Sequence, residues 1–151
     1  MILQRDQWIE VNYPEIRDNG CYLFSIVWFA VMYEHISVSA QSICEELYPR
    51  AVKRGYVGNE AYPLWMINSE GVFGLLGMDV EYRGHFPSDY QCKAGEFEIL
   101  KYHHRMNDWD HFVAGNGQGI VTYDPWGAVA PYNYSITVSE GVLESKRIFK
   151  G

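Results

Sequence analysis

Cysteine is scarce in this chain of 151 residues, and the three present (Cys21, Cys44 and Cys92) are widely spaced. An odd number without a CxxC pair is neither a disulfide framework nor a zinc ribbon, and at least one thiol stays free or pairs between chains. Basic residues are few as well. Twelve Lys and Arg stand against 19 Asp and Glu, for a formal charge of −7. No Lys/Arg run stands out, so a phosphate-tracking surface is excluded and no nucleic-acid partner is expected. The same acidity disfavours anionic lipid. The opening segment, MILQRDQWIEVNYPE, has no apolar h-region. The longest apolar stretch, residues 21–33, is too short to span a bilayer. No membrane association is expected, and the chain reads as soluble and cytoplasmic. Repeats, low-complexity tracts and linkers are also missing, which leaves one domain over residues 1–151.

Apolar residues make up 48% of the chain, enough for a folded core. Aromatics reach 16%, and rings of this kind bring large buried area together with polar tips that need partners. Tyr62, Trp65, Trp109 and Trp126 are accordingly expected in the core, with Trp126 also a candidate wall of a cleft. Asp18-Asn19-Gly20 is turn and N-cap chemistry leading into CYLFSIVWFAVMYEH, whose length and uniform apolarity suit a central buried helix. Ser39 caps a second helical segment that Pro49 ends or kinks and Gly55 closes. Pro63 opens a third, through PLWMINSEGVFGLLG to Gly77. Beyond Gly77 the texture changes to alternating strands, MDVEYRG and EFEILKYHH, then a hairpin HFVAG–NGQG–IVTYD and a last strand KRIFK. Helices followed by antiparallel strands make an α+β pattern.

Chemistry enters where these elements begin and end. A thiol attacks as thiolate, and a helix N-terminus lowers a cysteine's pKa through its partial positive charge and free N–H groups. Cys21 occupies the first turn of the central helix. The plainer reading of the position is a small buried hydrophobe. Neither Cys44, in mid-helix, nor Cys92, in a polar loop, has comparable surroundings. A nucleophile needs a base within reach. His111 opens one strand of the hairpin and Asp124 ends the other, so the fold-back makes them cross-strand neighbours. A carboxylate placed there fixes the tautomer of the imidazole.

Gly20-Cys21 before an apolar helix, then Asp110-His111-Phe112-Val113 and Asp124-Pro125-Trp126-Gly127, resembles the papain-like cysteine peptidase superfamily. Within it the likeness is greatest to the peptidases that cut double-glycine leader peptides and to related small bacterial or phage domains. The resemblance spans about residues 18–127, rests on two short motifs and their order, and implies a papain-like α+β fold. It also implies Cys21 as nucleophile, His111 as base and Asp124 as the acid that orients the base. The family usually has a Gln a few residues before the cysteine as oxyanion donor. Here residues 15–20 read Glu-Ile-Arg-Asp-Asn-Gly. Gln4 and Gln7 lie farther back, and Asn19 or the Cys21 backbone N–H are the other candidate donors.

His103, His104, Asp108, Asp110 and His111 look like a metal cluster, but adjacent strand residues face opposite sides, so no metal site is assigned. Asn133-Tyr134-Ser135 fits a glycosylation sequon that is incidental without secretion. The expected activity is hydrolysis of a peptide or amide bond by a Cys-His-Asp set, with a peptide or protein substrate and no cofactor. Two alternatives stay open. One is an inactive papain-like interaction module, such as an inhibitor or phage-encoded partner-binding protein; the other is a cell-wall peptide endopeptidase or amidase. Oligomeric state is not legible.

Overall fold

A helix that is apolar on every side has no face to give to solvent and must lie inside the molecule. In the computed structural model, which describes residues 6–127 and 135–151, two short helices, α1 (Gln7–Asn12) and α2 (Pro14–Asn19), lead into such a helix, α3 (Cys21–Glu34). Leu23, Phe24, Ile26 and Ala30 on α3 are almost fully buried, each large side chain contributing about 1.5–3 kcal/mol. Asp18 and Asn19 are not its cap, as expected from turn chemistry, but the last turn of α2. Gly20 joins the two helices: its N–H donates to the Ile16 carbonyl at 2.9 Å, closing α2, and it is the N-cap of α3 without a side-chain cap. A Cβ at position 20 would stand 2.4 Å from the Ile16 oxygen. The short connection therefore demands glycine, and it leaves the first-turn N–H groups of α3 without a capping side chain.

Ser39 caps the next helical segment in a reciprocal capping box with Ser42. The segment runs as α4 (Ala40–Ser42), a π-turn (Ile43–Leu47) and α5 (Tyr48–Lys53). Pro49 does not end it. The wide π-turn just before α5 accommodates a proline that has no N–H and whose ring would crowd a regular helix. The third helix, α6 (Ser69–Leu75), begins later than Pro63 suggests, because Asn68 is its cap and accepts the Gly71 N–H at 3.1 Å. Side-chain capping at Asn68 outweighs the preference of proline for a first turn.

Five strands follow, β1 (Glu81–Pro87), β2 (Glu96–His104), β3 (Trp109–Gly115), β4 (Val121–Tyr123) and β5 (Val142–Lys150), with α7 (Ile136–Glu140) before the last. They form one antiparallel sheet in the order β1-β5-β2-β3-β4, so the final strand inserts between the first two. α3 packs on β3, and the architecture is α+β with an antiparallel five-stranded sheet. No described helix is long and apolar enough to cross a membrane. The core rings are phenylalanines: Phe97 lies 4.7 Å from Phe29, 5.6 Å from Phe73 and 5.4 Å from Phe149, centroid to centroid. Tyr62, Trp65 and Trp109 are not core residues. They are 37%, 54% and 50% exposed, since the phenylalanines already fill the space between α3, α6 and the sheet.

A buried ion pair lies on the other side of the sheet. Lys146 Nζ and Glu98 Oε1 are 2.9 Å apart with neither side chain exposed. Every charge there is answered. Lys146 also donates to the Tyr90 carbonyl at 2.6 Å, and Glu98 Oε2 accepts the N–H groups of Gly117 (3.0 Å) and Gly119 (2.8 Å). Both glycines have positive φ (95° and 84°), which turns their N–H groups inward. The β3–β4 hairpin is thereby tied to β2. Removing one partner strands the other charge in the interior, so Glu98→Ala should lower stability by about 3–5 kcal/mol in urea unfolding. A loss below about 1 kcal/mol would contradict this account of the hairpin.

Candidate functional site

The start of α3 is held to the sheet by a hydroxyl. Ser25, fully buried one turn into the helix, donates to the Cys21 carbonyl at 2.9 Å and stands 3.3 Å from the Phe112 carbonyl on β3. Tyr22 meets the Phe112 ring edge-on at 4.8 Å. Farther along α3, Trp28 stacks on Tyr123 at 4.8 Å with 9° between the planes. The helix thus grips β3 next to His111 and β4 next to Asp124, fixing Cys21 against both.

His111 and Asp124 are buried, and His111 Nε2 lies 2.6 Å from Asp124 Oδ1. They are not directly opposite on the hairpin. The ladder pairs Ala114 with Tyr123, so Asp124 leaves β4 just past the last pair and its carboxylate reaches back along β3. Its position is fixed from two more sides: Oδ1 accepts the Trp126 N–H at 2.9 Å, a side-chain turn two residues on, and Oδ2 accepts the Ser135 N–H at 2.8 Å. Burial alone would raise the pKa of Asp124, but its hydrogen bond and charge interaction with His111, with help from Ser135, hold it below the usual carboxylate range. Burial likewise opposes a charge on His111. Asp124 and the neighbouring Cys21 thiol outweigh it and raise its pKa to about 9. With Nε2 committed to Asp124, Nδ1 is the nitrogen left for the thiol.

The other two thiols are differently placed. Burial, then Glu45, pushes Cys44 up to about 11. Burial and Glu98 push Cys92 up to about 12. Cys21, although only 8% exposed, opens onto a cleft of about 380 Å³. Asn19 and Asp18 form one rim, Trp65, Met66 and Phe112 an apolar wall, and Arg147 and Lys101 the cationic part. Of the candidate oxyanion donors, Asn19 is exposed and lines this cleft. Gln7 lies on α1, and Gln4 falls outside the described residues. Trp126 serves Asp124 through its backbone, whereas the wall beside Cys21 is built from Trp65, Met66 and Phe112. Sequence reasoning passed over Ser25, Met66 and Arg147, and it placed Trp65 in the core. Only Ser25 had a signal: it is a polar interruption in an otherwise apolar run.

The histidine and acid cluster resolves into three separate groups, one of them His111 with Asp124. His103 Nδ1 lies 2.8 Å from Asp110 Oδ1, with Glu144 nearby, while His104 turns to Glu140 at 3.2 Å. His103, Asp110 and Glu144 could in principle surround an ion, but Lys101 Nζ already lies 3.1 Å from Glu144 and 3.8 Å from Asp110. A cation of the chain itself thus neutralises these carboxylates. The sequon's Asn133 and Tyr134 lie outside the described residues.

Over residues 1–151 the sequence matches the family described as Protein of unknown function, DUF261. The chain belongs to that family. No curated protein and no solved structure matches it.

Two measurements check the electrostatics. At about pH 6, iodoacetamide should label Cys21 ahead of Cys44 and Cys92, and His111→Ala should remove that preference. Equal labelling of three thiols in the folded protein contradicts the arrangement. The second is linkage. A raised His111 contributes stability that is complete below its ordinary pKa of 6.5 and is lost as pH rises through about 9. A lowered Asp124 contributes stability that is complete above 3.8 and is lost as pH falls through its depressed value. The stability difference between wild type and Asp124→Asn should therefore peak between about pH 4 and 6.5 and shrink on both sides. A difference that stays flat from pH 3 to 10 would overturn the assignment.

Proposed function

We propose that the chain is a papain-like cysteine hydrolase that cleaves a peptide or amide bond. The observation that carries this reading is His111, clasped between a buried carboxylate and a thiol that opens onto a cleft. An imidazole with a pKa near 9 keeps its proton at neutral pH and can give it to a leaving group. In the proposed reaction the Cys21 thiolate adds to the substrate carbonyl. The oxyanion so formed faces the uncapped first turn of α3, where the Cys21 N–H and the Asn19 amide are the available donors. His111 gives its proton to the departing amine and the carbon–nitrogen bond breaks, leaving a thioester on Cys21. Water then attacks the thioester as His111 takes its proton. The acid leaves, and Cys21 and His111 return to their starting state. Asp124 holds the ring orientation and stabilises its charge throughout, without itself being protonated. The chemistry requires no metal or organic cofactor.

Proteolysis of a mixed peptide library, followed by mass spectrometry, tests the reading. Wild type should cleave, folded Cys21→Ala should not, and Asp124→Asn should lose about 10²–10⁴ in turnover. Cleavage that persists in folded Cys21→Ala refutes the nucleophile. If wild type cleaves nothing while Cys21→Ala keeps the cellular phenotype, the chain works as a binding module on this framework instead.

A further inference from the structure

The cleft over Cys21 does not end at the wall described above. It shares Trp65, Met66, Phe112 and Arg147 with a second hollow of about 360 Å³ that extends past Tyr22 towards α6 and β1, making one continuous trough. Its flank is unusually apolar for a surface: Trp65 is 54% and Met66 63% exposed. Such side chains side by side next to a thiol suit a large apolar group of a ligand.

Arg147 supplies the contrasting feature. It rises from β5, a strand paired on both sides, between the buried Lys146 and Ile148. Its guanidinium lies 5.5 Å from the Phe112 ring centroid, and Nη1 donates to Ser145 Oγ at 2.9 Å. Among the described residues no carboxylate comes within ion-pair distance of it. The acids that share the trough are engaged elsewhere: Glu70 accepts the Tyr82 N–H, Asp110 pairs with His103 and Lys101, and Asp18 pairs with Arg17. In a chain with seven more acids than bases, by the formal charge of −7, an unneutralised guanidinium held on a rigid strand in the floor of an apolar trough is unusual. A guanidinium fork matches a carboxylate through two parallel hydrogen bonds, and here both its charge and its place are preset.

We infer that this trough selects peptides carrying a carboxylate next to a large apolar side chain, the carboxylate on Arg147 and the apolar group against Trp65 and Met66. The carboxylate can be an acidic side chain or a chain terminus. The inference rests on the hydrolase reading and gives it a substrate class.

The test uses the full-length chain and fluorescent peptides in matched sets: Phe-Glu against Phe-Gln, Phe-Gln with a free against an amidated C-terminus, and Ala-Glu against Phe-Glu. Binding is read by anisotropy on Cys21→Ala, alone and combined with Arg147→Gln, Arg147→Lys or Trp65→Ala. Cleavage is read on wild type. A carboxylate should tighten binding by about ten- to a hundredfold over its amide. Arg147→Gln should erase that ratio, and Trp65→Ala should bring Phe peptides down to the Ala level. The Glu/Gln pair and the terminal pair show which carboxylate is read. Thermal melts check each fold. Should Arg147→Gln fail to fold, Arg147→Lys decides the question: it keeps the charge without the fork and should retain only part of the ratio. Equal binding of acid and amide peptides, or a preference that survives Arg147→Gln or is undiminished in Arg147→Lys, overturns the inference. Arg147-dependent binding without any cleavage leaves the site standing and refutes the hydrolase. Cleavage without carboxylate preference does the reverse.

Discussion

Glu98 and Lys146 meet at 2.9 Å where neither touches solvent, and the N–H groups of Gly117 and Gly119 close on the same carboxylate. An ion pair in such a place gains little stability over apolar residues of similar size. Its consequence is registry. A two-stranded ribbon is marginal by itself, and β4 is only three residues long. Tied to Glu98 at its turn, the hairpin has one position against β2. That position sets where His111 starts β3 and where Asp124 leaves β4. Substituting Gly115 would drive a Cβ to 2.4 Å from Glu98 Oε2, so the strand passes the carboxylate with no room to spare.

The helix side of the site is set by a different device. α3 is apolar all round, and such a helix could rotate or slide in its socket without large changes in burial. Ser25 removes that freedom by reaching the Phe112 carbonyl of β3, and the Trp28–Tyr123 stack adds a second fixed point farther along. Gly20 ends α2 and starts α3 without a spare residue, presenting Cys21 on an uncapped first turn. Two separately positioned elements then bring thiol, imidazole and carboxylate into one electrostatic unit. The proton affinity of His111 reflects that convergence: burial works against the charge, and its two neighbours override it.

Short-range pattern accounts for the parts that could be read from sequence. The apolar run after Gly20, the glycine-rich turn between two strong strands, and the placement of His111 and Asp124 at their outer ends are all local signals, and together they give the α+β class and the meeting of His111 with Asp124. What escaped depends on distant pairing. Glu98 sits in an alternating strand where a carboxylate is ordinarily exposed, and only Lys146, 48 residues later in a strand inserted beside it, makes its burial possible. Trp65 and Met66 carry the composition of core residues, and their exposure follows from a core already filled by Phe29, Phe73, Phe97 and Phe149. The later start of α6 is a competition between two local signals, Pro63 and Asn68, that only the tertiary setting resolves.

Coupling between the Cys21 thiol and the His111 ring is the claim on which the rest of the functional account turns. NMR titration of ¹⁵N-labelled histidine reads it directly in wild type and in Cys21→Ala. The account predicts a His111 midpoint near 9 in wild type that falls measurably once the thiol is removed, with Nε2 remaining the nitrogen bonded to Asp124. A midpoint at the ordinary value of about 6.5, or one that does not move in Cys21→Ala, would contradict it.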